Sequence, residues 1–189
     1  KEHGIKNFDT DLLDDVDIVW IVDSIQDSIE PYKRFLDKNV QIVITDHHLI
    51  EDELCKEMEN LGIVLVSSAV NYENSALSGS CVTWKVCQYM DYMNIDDFSD
   101  DLIDLAATGL VADMSSMSSP ENRAICDKAF KNLKNPGIKK INGGYAFVSR
   151  NISFGIAPKI NAANRVNHND LAMNVFLSDN EDEIAEIVK

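Results

Sequence analysis

Three short, near-continuous apolar runs mark the first third of the chain: Val16-Asp17-Ile18-Val19-Trp20-Ile21-Val22, Val40 to Thr45, and Ile63 to Val66. They are rich in β-branched residues and do not alternate with polar ones. That pattern predicts strands over 16–22, 40–45 and 63–66, and in the second Ile42, Val43 and Ile44, without alternation, read as buried on both faces as in a parallel sheet. Between them the period becomes helical. A helix is predicted over 29–38, with Pro31 near its first turn, where a missing N–H costs little. A second, over 51–61, is rich in Glu and Leu and stops at Gly62, a residue suited to a left-handed terminator. Strand, helix and strand form a βαβ unit, which is almost always right-handed. Its consequence is geometric: Asp23 and Asp46, which end the first two strands, fall at the same end of neighbouring parallel strands.

Beyond residue 66 the patterns are mostly helical. A polar stretch over 67–78 carries Asn71 and Asn74. Gly79-Ser80 then opens an amphipathic helix over 81–93, with Val82, Val86, Tyr89 and Met90 at helical spacing. Acidic residues at 96, 97, 100 and 101 lead into a helix over 102–110, followed by Val111-Ala112-Asp113. Asp113 differs from those surface acids because the apolar residues before it (Ala106, Ala107, Leu110, Val111) ask to be buried. Ser118-Ser119-Pro120-Glu121 has the serine cap, early proline and acidic first turn of a helix start. That helix is predicted to run to about Leu133 and halt at Asn135-Pro136-Gly137. Residues 139–155 read as loop-rich, with Gly143-Gly144 and a short strand over 145–148. Helical pattern resumes at Asp170, and 180–189 reads as the start of a charged helix. The fold class is therefore α/β, a mainly parallel sheet flanked by helices, with a more helical C-terminal part.

Composition narrows the function classes. The 189 residues are 45% apolar with a formal net charge of −15. Such acidity argues against passive adhesion to a polyanion or an anionic membrane surface, but bound divalent cations reverse the sign locally at a phosphate site. No run approaches the roughly 20 apolar residues of a membrane span, and the start lacks a secretory signal pattern. Cys55, Cys81, Cys87 and Cys126 form no CxxC pair, so they read as reduced, buried thiols of a cytoplasmic protein. The first residue is Lys1 rather than Met, which reads as part of a longer or processed chain.

The chemistry collects at strand ends. In open α/β sheets ligands sit beyond the carboxyl ends of the strands, where this chain offers Asp23 and then Asp46-His47-His48, with Asp113 at a later segment end. The plainer alternative, strand-end polar residues capping the next helix, is the weaker one, because consecutive histidines after a strand are unusual in a chain holding four. Carboxylates and imidazole from one sheet edge also suit a two-metal phosphoryl-transfer site, with ions about 3.5–4 Å apart. Mixed carboxylate and imidazole ligation fits Mn²⁺ at least as well as Mg²⁺.

The order and spacing of these residues resemble the DHH phosphoesterase superfamily. Val22-Asp23 is similar to its second motif, Asp46-His47-His48 to its third and Val111-Ala112-Asp113 to its fourth. Leu77-Ser78-Gly79-Ser80-Cys81-Val82-Thr83-Trp84 resembles the Gly-containing helix start of the RecJ-like branch. Ile156 to Val166 resembles that branch's Ile-Ala-Pro-Arg-Ile-Asn-Ala-Ala-Gly-Arg-Leu segment. The resemblance covers the chain from about residue 10 to the end. It implies a DHH-type catalytic domain over 1–178, with 179–189 beginning the helical linker to a second domain. By the same resemblance Asp23, His47 and Asp113 are metal ligands for Mn²⁺ or Mg²⁺, two ions in the complete site. Asp46 is a ligand or orients a histidine, and His48 contacts the scissile phosphate. Lys159 and Arg165 are candidate phosphate contacts, although an Ala-Pro-Lys loop packed under the sheet explains that segment almost as well. Asn161 is a substrate contact or a turn cap. Gly79 and Ser80 are a phosphate-binding helix N-terminus or a plain cap.

The implied function is a metal-dependent, RecJ-like exonuclease that hydrolyses single-stranded DNA from an end by in-line attack of water. Its partners would be single-stranded nucleic acid and DNA-repair or replication proteins, with no membrane. A small-substrate relative, acting on oligoribonucleotides, cyclic dinucleotides or pyrophosphate, is the alternative within the class. A catalytically degenerate replication scaffold is the alternative outside it. The sequence departs from the family pattern in several places. The family's first motif, a pair of aspartates after an N-terminal strand, has no counterpart here. Ser24-Ile25-Gln26 stands where a glycine usually follows the second motif. Lys159 replaces an arginine, losing a bidentate fork, and Asn164 replaces a glycine. This stretch alone is therefore expected to bind one Mn²⁺ weakly and to be nearly inactive.

Overall fold

The computed structural model describes residues 4–70, 72–95, 97–165 and 169–189. Asn71, Asp96 and Val166 lie outside the described residues. The chain divides into two compact units, one up to Thr83 and one from Trp84 onwards.

The first unit is built on a parallel sheet of β1 (Ile18–Val22), β2 (Gln41–Asp46) and β3 (Val64–Ser67), in the order β1-β2-β3. The two predicted neighbours pair in parallel, with Ile18 beside Gln41 and Val22 beside Thr45. The connections are α1 (Glu30–Leu36), with Pro31 in its first turn, and α2 (Asp52–Asn60). Gly62 follows α2 at φ +75°, the left-handed conformation that ends such helices at low cost. Ile21, Ile42 and Ile44 from the sheet pack with Tyr32 and Phe35 of α1 and Met58 of α2, and Leu13 of a 3₁₀ turn (Thr10–Leu13) joins them.

Burial differs between the central strand and the edge strands. Central β2 is largely enclosed, with Ile42, Ile44, Thr45 and Asp46 all buried. On the edge strands, however, Ile18, Trp20, Val22, Val64 and Val66 are exposed. The core of this unit gathers on the face carrying α1 and α2.

Helix α3 (Gly79–Tyr92) begins in the first unit and runs into the second. Among its described residues the second unit is helical. After a 3₁₀ turn at Ser99–Asp101 come α4 (Ile103–Ala112), α5 (Pro120–Lys131) and α6 (Pro136–Asn142). Next are α7 (Ser149–Asn151), a π turn (Ile152–Ile156), α8 (Ala157–Arg165), α9 (Asn169–Leu177) and α10 (Glu181–Ile187). Ile103, Ala106, Ala107 and Leu110 of α4 are buried, as are Ile125, Cys126 and Ala129 of the adjoining α5. Ser119 caps α5 by accepting from the Asn122 amide.

Three expectations are corrected here. Asn135-Pro136-Gly137 begins a helix instead of ending one: the Asn135 side chain accepts the Ile138 amide, and Pro136 stands in the first turn. Residues 145–148 form no strand; Phe147 is buried edge-on against Phe130, at 5.4 Å between ring centres. The Ala-Pro-Lys segment is helix, not loop. Pro158 has no N–H to give to a carbonyl four residues back, and the chain widens into the π turn just before it.

The four cysteines are free thiols, with Cys81, Cys87 and Cys126 buried and Cys55 half-buried. No described helix is long and apolar enough to cross a membrane.

Candidate metal centre

The carboxyl end of the β1–β2 pair carries the polar cluster. The Asp23 amide donates to the Thr45 carbonyl at 2.9 Å, which extends the ladder one step past β1. Asp23 then turns at φ +53°. A non-glycine residue in the left-handed region is held there by its surroundings at some cost, and such residues collect at functional sites.

Asp46 ends β2 and is fully buried. Its Oδ2 accepts the Ile25 amide at 2.8 Å. Its Oδ1 accepts the amides of His47 at 2.6 Å and His48 at 2.8 Å, and lies 2.7 Å from His48 Nδ1. Burial by itself pushes this carboxyl up. The bonds from the His48 and Ile25 amides, the His48 ring and the His47 amide together outweigh it, and the group lies below the usual carboxylate range. The ionised carboxylate therefore ties the loop after β1 to the turn after β2. It also asks for a proton on His48 Nδ1, which leaves Nε2 as the ring atom that meets a ligand.

Asp23, His47 and His48 form a group able to hold a metal ion, with one ligand atom from each lying within 4.8 Å of the others. His47 Nε2 is 3.3 Å from Asp23 Oδ1, and His48 Nδ1 is 3.8 Å from the same oxygen. Two ligand atoms each about 2.1 Å from one ion, at right angles, stand about 3 Å apart. The Asp23–His47 spacing fits such sharing, and the donor set of one carboxylate and imidazole suits a divalent transition metal.

The other candidates divide between the units. Gly79 lies against the Asp23 carboxylate, and the hydroxyl oxygens of Ser80 and Ser78 are 2.9 Å apart. Asp113 belongs to the second unit, where it follows α4 as its C-cap, its amide donating to Gly109. The apolar residues before it are buried as the sequence asks. Lys159 Nζ donates to the Ile141 carbonyl at 2.8 Å, tying α8 to the end of α6. Asn161 lies within α8 rather than at a turn, and exposed Arg165 ends that helix. Sequence reasoning missed Trp20, Thr45 and Thr83, whose polar side-chain groups meet beside the cluster, because strand and helix patterns do not show which donors and acceptors will meet.

No family model matches the chain. It is 30% identical, over 96% of its length, to an SPβ prophage-derived protein of Bacillus subtilis named as the single-strand DNA-specific exonuclease YorK. It is 27% identical, over 78% of its length, to the single-stranded-DNA-specific exonuclease RecJ of the same organism. The chain spans 32% and 19% of those two relatives. Its fold matches RecJ of Thermus thermophilus in complex with Mn²⁺, with a TM-score of 0.82 and 22% identity, over 94% of this chain and 27% of that one. A second structure, exonuclease RecJ bound to manganese, matches at TM-score 0.81 and 22% identity over 94% of this chain and 46% of that one. With the fold of RecJ, sequence similarity to YorK over 96% and to RecJ over 78% of its length, and Asp46-His47-His48 at the end of β2, the chain is similar to the RecJ-like branch of the DHH superfamily.

Proposed function

We propose that this chain carries the metal-binding part of an exonuclease acting on single-stranded DNA with Mn²⁺ or Mg²⁺. The observation that carries the reading is the approach of His47 Nε2 to Asp23 Oδ1 at the strand ends, braced by a fully buried Asp46. The named activity of YorK and RecJ, and the Mn²⁺ in the structures the fold matches, support it. Asp23 and His47 hold the ion, and Val111-Ala112-Asp113 matches the family's fourth motif. A divalent ion there supplies Lewis acidity and an activated water for in-line attack on a phosphodiester. His48, its Nδ1–H committed to Asp46, turns Nε2 to the phosphate, and the doubly protonated ring donates from there to a non-bridging oxygen as negative charge develops on it. Arg165 is the phosphate contact on α8, with Asn161 beside it on the same helix. Lys159 serves chiefly to fasten that helix. The Ser80 end of α3 offers its first amides to an anion.

The test is degradation of end-labelled single-stranded DNA, in Mn²⁺, by the protein that carries this chain. His47→Ala is expected to abolish cleavage while the circular dichroism spectrum stays unchanged. Near-normal turnover of that variant at saturating Mn²⁺ contradicts the assignment. A parallel panel of short oligoribonucleotides, cyclic dinucleotides and pyrophosphate separates the small-substrate reading, which requires turnover there and little on long single strands.

A further inference from the structure

The first turn of α3 approaches Asp23 more closely than a residue with a side chain allows. A Cβ placed on Gly79 would stand 2.6 Å from Asp23 Oδ1 and 2.8 Å from its Cγ. Gly79 is absent from the positive-φ residues of the backbone, so it is needed for space and not for conformation. The Asp23 backbone has little freedom to withdraw, so a Cβ at Gly79 would turn the carboxylate aside. The Asp23 amide is bound to the Thr45 carbonyl, and its backbone already sits in the left-handed region. The amides at the start of a helix also favour a carboxylate beside them.

A hydrogen-bond chain holds α3 at this distance. Trp20 Nε1 donates to Thr45 Oγ1 at 3.1 Å, and Thr45 Oγ1 lies 3.0 Å from Thr83 Oγ1. Thr83 is one helical turn beyond Gly79, and Thr45 is fully buried. An indole N–H only donates, so Thr45 accepts from Trp20 and completes the second bond with Thr83. Thr45 thus anchors Asp23 through its carbonyl and α3 through its hydroxyl. It also directly precedes Asp46.

We propose that Gly79 and the Trp20–Thr45–Thr83 chain are positioning elements of the metal centre. They set the Asp23 carboxylate at the distance from His47 at which the two share one divalent ion. This rests on the reading of Asp23 and His47 as metal ligands. The two ideas separate experimentally through Mn²⁺ affinity, read from the EPR signal of unbound Mn²⁺ at a temperature where each variant is folded.

Asp23→Asn tests the underlying reading and is expected to abolish binding. Gly79→Ala is expected to weaken Mn²⁺ binding by about tenfold or more, the usual effect of disturbing the support of a metal ligand. Thr45→Val and Thr83→Val, which keep shape and remove the hydroxyl, weaken it in the same direction. Thr45→Ser, which restores the hydroxyl, binds as the unsubstituted chain does. A merely structural role predicts lower melting temperatures for the valine variants with unchanged Mn²⁺ affinity, and that result overturns the proposal. Should Gly79→Ala fail to fold, the threonine series decides by itself. Loss of binding in Asp23→Asn with full affinity in Gly79→Ala and Thr45→Val sinks the proposal alone. An unsubstituted chain that binds no Mn²⁺, or an Asp23→Asn variant that binds normally, sinks both.

Discussion

Asp46 shows how much one residue can organise. Its two oxygens take four donors, three of them backbone amides on either side of the cluster. Asp46→Asn keeps the shape but turns an NH₂ group towards a donor. It is expected to cost about 1–3 kcal/mol in chemical denaturation, and to release His48 from its Nδ1-protonated tautomer, seen in the ¹⁵N spectrum of the ring. Unchanged stability and tautomer would contradict the role given to this carboxylate. The triplet's chemistry is visible in the sequence because Asp and His after an apolar run are conspicuous. The Ile25, His47 and His48 amides are not, because every residue has one.

Tyr32 makes the same point away from the site. It is fully buried, and its hydroxyl oxygen accepts the Gln26 amide at 2.8 Å. Burial pushes its phenol from the ordinary 10.0 up to about 12; the Gln26 bond works against this, while the Asp46 and Asp27 charges add to it. The folded state therefore favours the neutral form. That contribution to stability is complete below about pH 10 and is lost as the pH rises through about 12. Absorbance titration should show one of the five tyrosines lagging behind the rest. A single transition at the ordinary phenol value would contradict the burial.

At the scale of elements, the parallel pair β1–β2 was legible because β-branched runs and a helical spacer admit few topologies. The Asn135-Pro136-Gly137 stretch misled because the same residues serve as stop and start signals. Asn and Pro lead a helix as readily as they follow one. Gly137 also does something no pattern reveals. A Cβ there would stand 1.8 Å from the Val175 carbonyl oxygen, so α6 and α9 cross backbone to backbone. Gly137→Ala must push the helices apart. It is expected to destabilise the second unit by about 1–3 kcal/mol, measured by thermal melting, with the first unit's metal affinity unchanged. An unaltered melting curve would show that the crossing is looser than described.

For the molecule as a whole, the net charge of −15 opposes approach of a polyanion unless a bound cation reverses the sign locally, and among the described residues the Asp23–His47–His48 group is able to hold one. Which apolar residues lie open was not legible. Ile18, Trp20, Val22, Val64 and Val66 share a strand pattern with the buried Ile42 and Ile44, and only the placement of the helices separates them. In the proposed arrangement one divalent ion is held by Asp23 and His47, with His48 beside it and directed by Asp46. Pulsed EPR of bound Mn²⁺ tests it most directly by counting coordinated imidazole nitrogens. Coupling to one histidine, lost in His47→Ala and kept in His48→Ala, is the expected result. Coupling to two histidines, or coupling that vanishes with His48 and survives the loss of His47, would contradict it.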